Sequence, residues 1–145
     1  MNKELELLES LLKRQGYFTT KPRRRLFKAL QNGSSTVKEL VGRLPKDDQA
    51  TVYRNLKLYE QLGVVRKLHI GRQAKYELSD IFQHHHHHLT CSTCGRVIIL
   101  RANPVLEEII SRLSVKNGFV PMDHQLEIRG LCRNCQLQPA LDRSM

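Results

Sequence analysis

Residues 84–95 read HHHHHLTCSTCG, and the Cys-x-x-Cys spacing of Cys91 and Cys94 returns at Cys132 and Cys135, with 37 residues between the pairs. Together the pairs hold all four cysteines of the chain. Each Cys-x-x-Cys step bends the backbone into a knuckle that aims two thiolates at one point, and two knuckles complete a tetrahedral Zn²⁺ site. Such a site has no open ligand position, so the expected role of its ion is structural. The separation exceeds that of a zinc ribbon, which makes this a clasp on a small domain. Paired disulfides or a redox centre would use the same cysteines. The charged start MNKELELLES is unlike a signal peptide, however, and in a cytoplasmic chain metal comes before disulfides.

The histidine run is internal and leads directly into the first knuckle. Read as a strand, it points His84, His86 and His88 one way and His85 and His87 the other. It can therefore supply two distinct metal sites, one per face, or remain a solvated tract that binds metal loosely. His69, Glu77, Glu107 and His124 are further possible ligands, placed near element ends. Imidazole suits Zn, Fe and Ni, whereas carboxylate partners favour harder metals.

Between the knuckles, Arg96–Leu100 reads as a buried strand and Pro104–Asn117 as an amphipathic helix stopped by Gly118. His124–Ile128 alternates as a half-buried strand should, and residues 136–145 show no pattern. Upstream the rhythm is helical. Residues 3–14 repeat Leu at helical spacing, Thr20-Lys21-Pro22 opens a helix to about Gln31, and Thr36 with Glu39 forms a capping box. Residues 49–62 make a fourth helix, followed by β-like runs at Val64–Ile70 and Lys75–Leu78 around Gly71. Helices followed by a small hairpin describe a winged helix-turn-helix.

Charge divides the chain the same way. Residues 1–80 carry 17 basic and 9 acidic side chains, and residues 81–145 carry 7 and 5, within an overall net charge of +10. A charge concentrated in one half points to a polyanionic partner for that half. A recognition helix needs a base-edge reader, a methyl-contacting group and phosphate anchors, and Thr51, Tyr53, Arg54, Asn55 and Lys57 supply these. Lys21, Arg23, Arg24, Arg25 and Lys28 on the earlier helix suit phosphates. A core aromatic at Tyr53 and a surface charge at Arg54 are the plainer alternatives. At 145 residues, 40% hydrophobic and 26% charged, the chain can build packed cores, and no apolar run approaches the ~20 residues of a membrane span. A soluble cytoplasmic protein is expected.

These features together resemble the ferric uptake regulator family of metal-sensing repressors. The resemblance runs over residues 8–135 and is carried by GYFTTKPRRRLFKAL (16–30), ATVYRNL (50–56), the wing ending KYEL (75–78), HHHHHLTCSTCGRVI (84–98) and NGFVPMDHQLEIRGLCRNC (117–135). It implies an α+β chain: a winged helix-turn-helix DNA-binding domain over residues 1–78, a hinge at 79–83, an α/β dimerisation domain over 84–136 and a C-terminal tail at 137–145. It further implies a homodimer on a palindromic double-stranded DNA operator, with no membrane partner. Tyr53 and Arg54 match the base-contacting pair, beside Lys21, Arg23, Thr51, Asn55 and Lys57. Cys91, Cys94, Cys132 and Cys135 match the structural zinc site. His86 and His88, with Glu77 from the wing, match the regulatory metal site, and His69 is an alternative wing ligand. His85, His87, Glu107 and His124 match a second metal site in the dimerisation domain.

The chain departs from the family pattern in instructive places. A regulatory-site His common in the family is Ser34 here, an acidic residue after the CGxV strand is Ile99, and His87 stands where many members have Asp. Trading carboxylate for imidazole shifts the donors toward Zn²⁺ and away from Fe²⁺ or Mn²⁺. A zinc-responsive repressor of metal-uptake genes, rather than an enzyme, is therefore expected. Iron-, peroxide-, manganese- and nickel-responsive members are the nearest alternatives. A zinc hydrolase with Glu77 or Glu107 as base lacks an HExxH helix, and a metal-storage module leaves the basic half without a use.

Overall fold

The computed structural model describes residues 2–70 and 72–138 and divides the chain into two compact units, Met1–Gln83 and His84–Met145. The first unit opens with α1 (Lys3–Arg14), α2 (Lys21–Leu30), α3 (Val37–Arg43) and α4 (Gln49–Gln61). Local chemistry sets each start. The Thr20 hydroxyl accepts from the Arg23 amide with Pro22 in the first turn, Thr36 and Glu39 cap each other's backbone, and Asp48 accepts from the Thr51 amide. Gly63, at φ +71°, takes the left-handed turn that ends α4. A wing of β1 (Val65–Ile70) and β2 (Gln73–Leu78) follows, antiparallel, with Val65 opposite Leu78 and Arg66 opposite Glu77. Ser35 adds a bridge to Tyr76 through two backbone hydrogen bonds of 2.9 and 2.8 Å.

Leu8, Leu12, Leu26, Phe27, Leu30, Leu40, Leu56 and Tyr59 fill the core of this unit. Each large apolar side chain so buried contributes roughly 1.5–3 kcal/mol. Within the segment expected as a hinge, 79–83, Phe82 joins this core while Asp80 and Ile81 stand exposed. The Ser79 amide bonds the Val64 carbonyl at 2.9 Å, and Phe82 is buried edge-on against Phe27, ring centroids 5.1 Å apart. An aromatic ring in that segment gains more from the core than a hydrated linker would offer, so the boundary falls at Gln83.

The second unit contains β3 (His86–Cys91), β4 (Val97–Arg101), α5 (Pro104–Lys116), β5 (Glu127–Gly130) and α6 (Arg133–Leu137). Its sheet runs β4-β3-β5, with β3 antiparallel to β4 and parallel to β5. The last strand starts later than its alternation suggests. Pairing begins at Glu127 opposite His88, and His124 lies in the irregular segment before it, where its ring meets Glu107. Helix α6 replaces the patternless reading of residues 136–137, and of the expected tail, 139–145 lie outside the described residues. No aliphatic or aromatic side chain among the described residues of this unit is fully buried. Among the described residues, no helix is long and apolar enough to cross a membrane.

Candidate metal centres and nucleic-acid face

The parallel pairing of β3 and β5 brings the C-terminal ends of both strands side by side. Cys91 ends β3 opposite Gly130, and Cys132 follows two residues later. The β3–β4 turn is itself the first knuckle. The Gly95 amide bonds the Cys91 carbonyl at 3.0 Å, the Cys91 amide bonds the Arg96 carbonyl at 2.8 Å, and Gly95 takes φ +75°. Cys132 caps α6 and Cys135 sits one turn on, so all four sulfurs lie within 4.8 Å of one another.

The Cys94 and Cys132 sulfurs are 3.8 Å apart. Four ~2.3 Å Zn–S bonds in a tetrahedron put sulfurs about 3.8 Å apart, so the donor set and its spacing fit that ion. The Cys91 thiol is lowered to about 6 because the Cys132, Cys94 and Thr93 amides point at its sulfur. The Cys135 thiol, hydrogen-bonded to Cys132 and desolvated, is pushed up to about 12. One cysteine is thus prepared as a thiolate by the backbone, and Cys135 needs a cation to release its proton.

At the opposite end of β3 a second cluster gathers His85, His87, Glu107 and His124, their ligand atoms within 4.8 Å of one another. The alternation of the strand puts His85 and His87 on the face over α5, which supplies Glu107 from its first turn. Glu107 receives His87 Nε2 at 2.6 Å on one oxygen and His124 Nε2 at 2.9 Å on the other, with His85 Nε2 at 3.5 Å. Burial alone would raise the Glu107 carboxyl. The His87 hydrogen bond and the charges of His124, His85 and His87 outweigh it and hold the group below the usual carboxylate range. Three imidazole nitrogens and one carboxylate suit a nitrogen-preferring divalent ion. His87 is 1% exposed, and its Nδ1 finds no hydrogen-bond partner among the described residues.

On the other face of β3, the His86 and His88 rings lie with centroids 4.9 Å apart. His86 Nδ1 donates to the His84 carbonyl at 2.9 Å, which fixes the tautomer and leaves Nε2 for a ligand. The two wing candidates separate. Opposed residues of an antiparallel pair share a face, so Glu77 lies on the face of Arg66, while His69, opposite Ala74, lies on the other. His69 and Glu77 therefore lie on opposite faces of the hairpin, as alternatives for one ion rather than joint ligands. Glu77 is 2% exposed, and its carboxylate takes Arg66 Nη2 at 2.9 Å. Sequence reasoning overlooked Arg66, although the register that pairs Ile70 with Gln73 also sets Arg66 opposite Glu77.

Tyr53, Arg54, Lys57 and Lys21 stand exposed on α4 and at the start of α2, with Tyr53 half exposed. Thr51 Oγ1 accepts from Arg54 Nη2 at 3.3 Å. Asn55 departs from its expected role as a base reader. It is 9% exposed, turned toward α2, and its Oδ1 accepts from Arg23 Nε at 3.3 Å. Arg23 also donates through Nη1 to the Phe18 carbonyl and lies 5.7 Å from the centre of the Tyr17 ring. Its guanidinium is held by protein groups. The reason is helical spacing: Asn55 follows Arg54 by 100° around α4 and so turns from the outer face to the inner one.

A sequence profile of the ferric uptake regulator family matches residues 14–129. The ferric uptake regulation protein of Synechococcus elongatus is 32% identical over 138 residues, spanning 89% of this chain and 92% of the relative. The peroxide operon regulator of Bacillus subtilis is 31% identical over 138 residues, spanning 90% and 93%. The ferric uptake regulator of Vibrio cholerae, a crystal structure described as showing rearrangement of its DNA-binding domains, superposes with a TM-score of 0.69 at 31% identity over 86% of this chain and 98% of that one. With its α+β architecture, four-cysteine cluster and basic helical face, the chain belongs to the ferric uptake regulator family of metal-responsive, DNA-binding transcriptional regulators.

Proposed function

We propose that this chain is a metal-dependent repressor that binds a palindromic operator as a homodimer and controls metal-uptake genes in response to Zn²⁺. The observation that carries the choice of metal is the donor chemistry. The second unit supplies histidine nitrogens on both faces of β3, and its one clustered carboxylate, Glu107, is shared by three imidazoles. Nitrogen-rich sets favour Zn²⁺ over the harder Fe²⁺ and Mn²⁺. Cys91, Cys94, Cys132 and Cys135 would hold a resident structural Zn²⁺, which supplies cross-linking and no reaction. His86 and His88, with Glu77 as the wing ligand, would hold the effector ion, and His85, His87, Glu107 and His124 a second one.

The unburied apolar residues of the second unit support the homodimer. Ile98, Ile99, Ile109, Leu113 and Ile128 are 42–59% exposed in the isolated chain, as a domain that completes its core with a second copy requires. With ligands drawn from both units, the effector ion would favour one arrangement of the DNA-binding units among several, and the operator selects the same arrangement.

The test is metal analysis of untagged protein, followed by operator binding titrated separately with Zn²⁺, Mn²⁺ and anaerobic Fe²⁺. One tightly held zinc per chain and DNA binding switched on by further Zn²⁺ support the proposal. Activation by Fe²⁺ or Mn²⁺ alone overturns the choice of metal. Iron activation that peroxide abolishes would align the chain with its Bacillus subtilis relative, the peroxide operon regulator.

A further inference from the structure

The pairing of Arg66 with Glu77 costs more than a wing hairpin needs. Arg66 on β1 is 11% exposed, and Glu77 opposite it on β2 is 3% exposed. Taking both charges out of water costs about what their attraction returns, and an apolar pair of similar size would hold the strands as well. The grip is also uncommitted. Arg66 Nη2 lies 2.9 Å from Glu77 Oε1 and 3.1 Å from Asp80 Oδ1, so one nitrogen serves two carboxylates. Nε of the same guanidinium is buried and finds no hydrogen-bond partner among the described residues. A guanidinium settled on one carboxylate uses both arms of its fork, as Arg25 does on Asp47 through Nε and Nη2. Asp80 is the more accessible of the two partners, 34% exposed, and the Ser79 amide beside it is tied to the Val64 carbonyl at 2.9 Å.

We propose that Arg66 is a built-in competitor of the effector ion and sets the metal concentration at which the chain responds. The inference rests on the reading of Glu77 as the wing ligand of that ion. Without metal, the guanidinium is the counter-charge that lets Glu77 stay buried. When the ion takes the carboxylate, the guanidinium withdraws to Asp80. Binding is then an exchange of cations around one buried carboxylate, and the apparent affinity falls by whatever the Arg66–Glu77 contact is worth. A guanidinium that stayed in place would repel the ion. Asp80 therefore acts in the opposite sense to Arg66 on metal binding. It offers the displaced charge a partner and makes the exchange easier.

The test is the Zn²⁺ affinity of full-length protein that keeps its tightly held zinc, measured against a competing chelator. A Glu107→Ala background leaves the effector ion as the chelator-labile one. Arg66→Gln keeps a donor opposite Glu77 and removes the charge, so the fold survives better than with alanine. Groups in one ion-pair network commonly couple by a factor of about ten. Arg66→Gln should therefore bind Zn²⁺ about tenfold more tightly, although its metal-free form unfolds at lower urea than the parent. A merely structural Arg66 predicts that stability and metal affinity fall together. Asp80→Asn should bind about tenfold more weakly, and the double variant should match Arg66→Gln, because Asp80 acts only through the guanidinium. A double variant as weak as Asp80→Asn would make Asp80 a ligand and overturn its role as the alternative partner. If His86→Ala weakens the labile ion at least tenfold while Arg66→Gln stays within twofold of the parent, the competition alone is overturned. If His86→Ala leaves that ion as tightly bound as before, the reading of the effector site falls with it.

Discussion

Arg66 Nη2 lies 2.9 Å from Glu77 Oε1 and 3.1 Å from Asp80 Oδ1, which makes one guanidinium the counter-charge of two carboxylates in the wing. Both side chains of the Arg66–Glu77 pair are largely shielded from water, 11% and 3% exposed. A buried carboxylate is tolerated only while a cation or several donors face it. If Glu77 is also a ligand of the effector ion, guanidinium and metal address the same carboxylate, and Asp80 offers Arg66 a second partner.

Arg66→Ala should therefore do two things. Leaving Glu77 without its partner should destabilise the first unit by about 3–5 kcal/mol in the absence of metal. Saturating Zn²⁺ should then raise the melting temperature of the variant more than that of the wild type, because the ion restores the missing positive charge. Thermal melts of both proteins with and without Zn²⁺ test this. Equal metal-induced shifts would remove Glu77 from the ligand set.

The limits of the sequence reading have local causes. Alternation along the histidine run was enough to place His85 and His87 apart from His86 and His88, because a strand has only two faces. Helix starts were legible because caps are short-range signals, and Thr20, Thr36 and Asp48 each bond an amide within three residues. What stayed hidden depended on contacts across the chain. Phe82 joins a core built 55 residues earlier around Phe27, Asn55 turns inward to meet Arg23, and β5 starts where β3 offers it pairing partners. None of these is written in local composition. The Arg66–Glu77 pair lies between the two cases, since it follows from hairpin register once the turn is placed.

Acid should act first on the first unit through Asp47. Arg25 donates from Nε and Nη2 to both carboxylate oxygens, at 2.9 and 2.6 Å, and this hydrogen-bonded pair holds the Asp47 carboxyl below the usual range. A folded-state value below the unfolded one, about 3.9, means that the pair stabilises the fold above that pH. The contribution fades as pH falls through the lower, folded value. Asp47→Asn should unfold at lower urea than the wild type at pH 7, and the gap should close as pH falls below about 4. Parallel stability curves across that range would assign the pair no role.

The two metal clusters of the second unit should behave independently. His87 and Cys91 are four residues apart on one strand, about 13 Å at the rise of a β-strand, with no shared ligand. Glu107→Ala should lose one chelator-labile equivalent of metal and keep the tightly held zinc. Cys132→Ser should lose the tight equivalent and, with it, the clasp between the β3–β4 turn and α6, so that its dimer dissociates at concentrations where the wild type does not. Metal analysis after dialysis against chelator, paired with sedimentation at equal protein concentration, separates the outcomes. Loss of both equivalents in either variant would mean that the clusters are one cooperative unit.

On the operator-binding proposal, the outer face of α4 should divide into residues that select sequence and residues that hold the backbone. Tyr53 and Arg54 stand exposed in the first half of the helix, beside a Thr51 hydroxyl that already accepts from Arg54, and Lys57 stands a turn further on. A helix entering the major groove presents its N-terminal residues to base edges and its flanks to phosphates. A guanidinium bidentate on guanine is worth about 1–3 kcal/mol of discrimination, and an ammonium on phosphate carries no sequence information. Arg54→Ala should therefore bring operator affinity about tenfold closer to the affinity for unrelated DNA. Lys57→Ala should weaken both alike and lower the salt slope by about 0.9 per chain. Competition titrations of operator against random duplex, at two salt concentrations, distinguish these effects. If Arg54→Ala lowered both affinities equally, with the slope falling as for Lys57→Ala, Arg54 would be a phosphate anchor and the base readout would have to come from Tyr53 and Thr51.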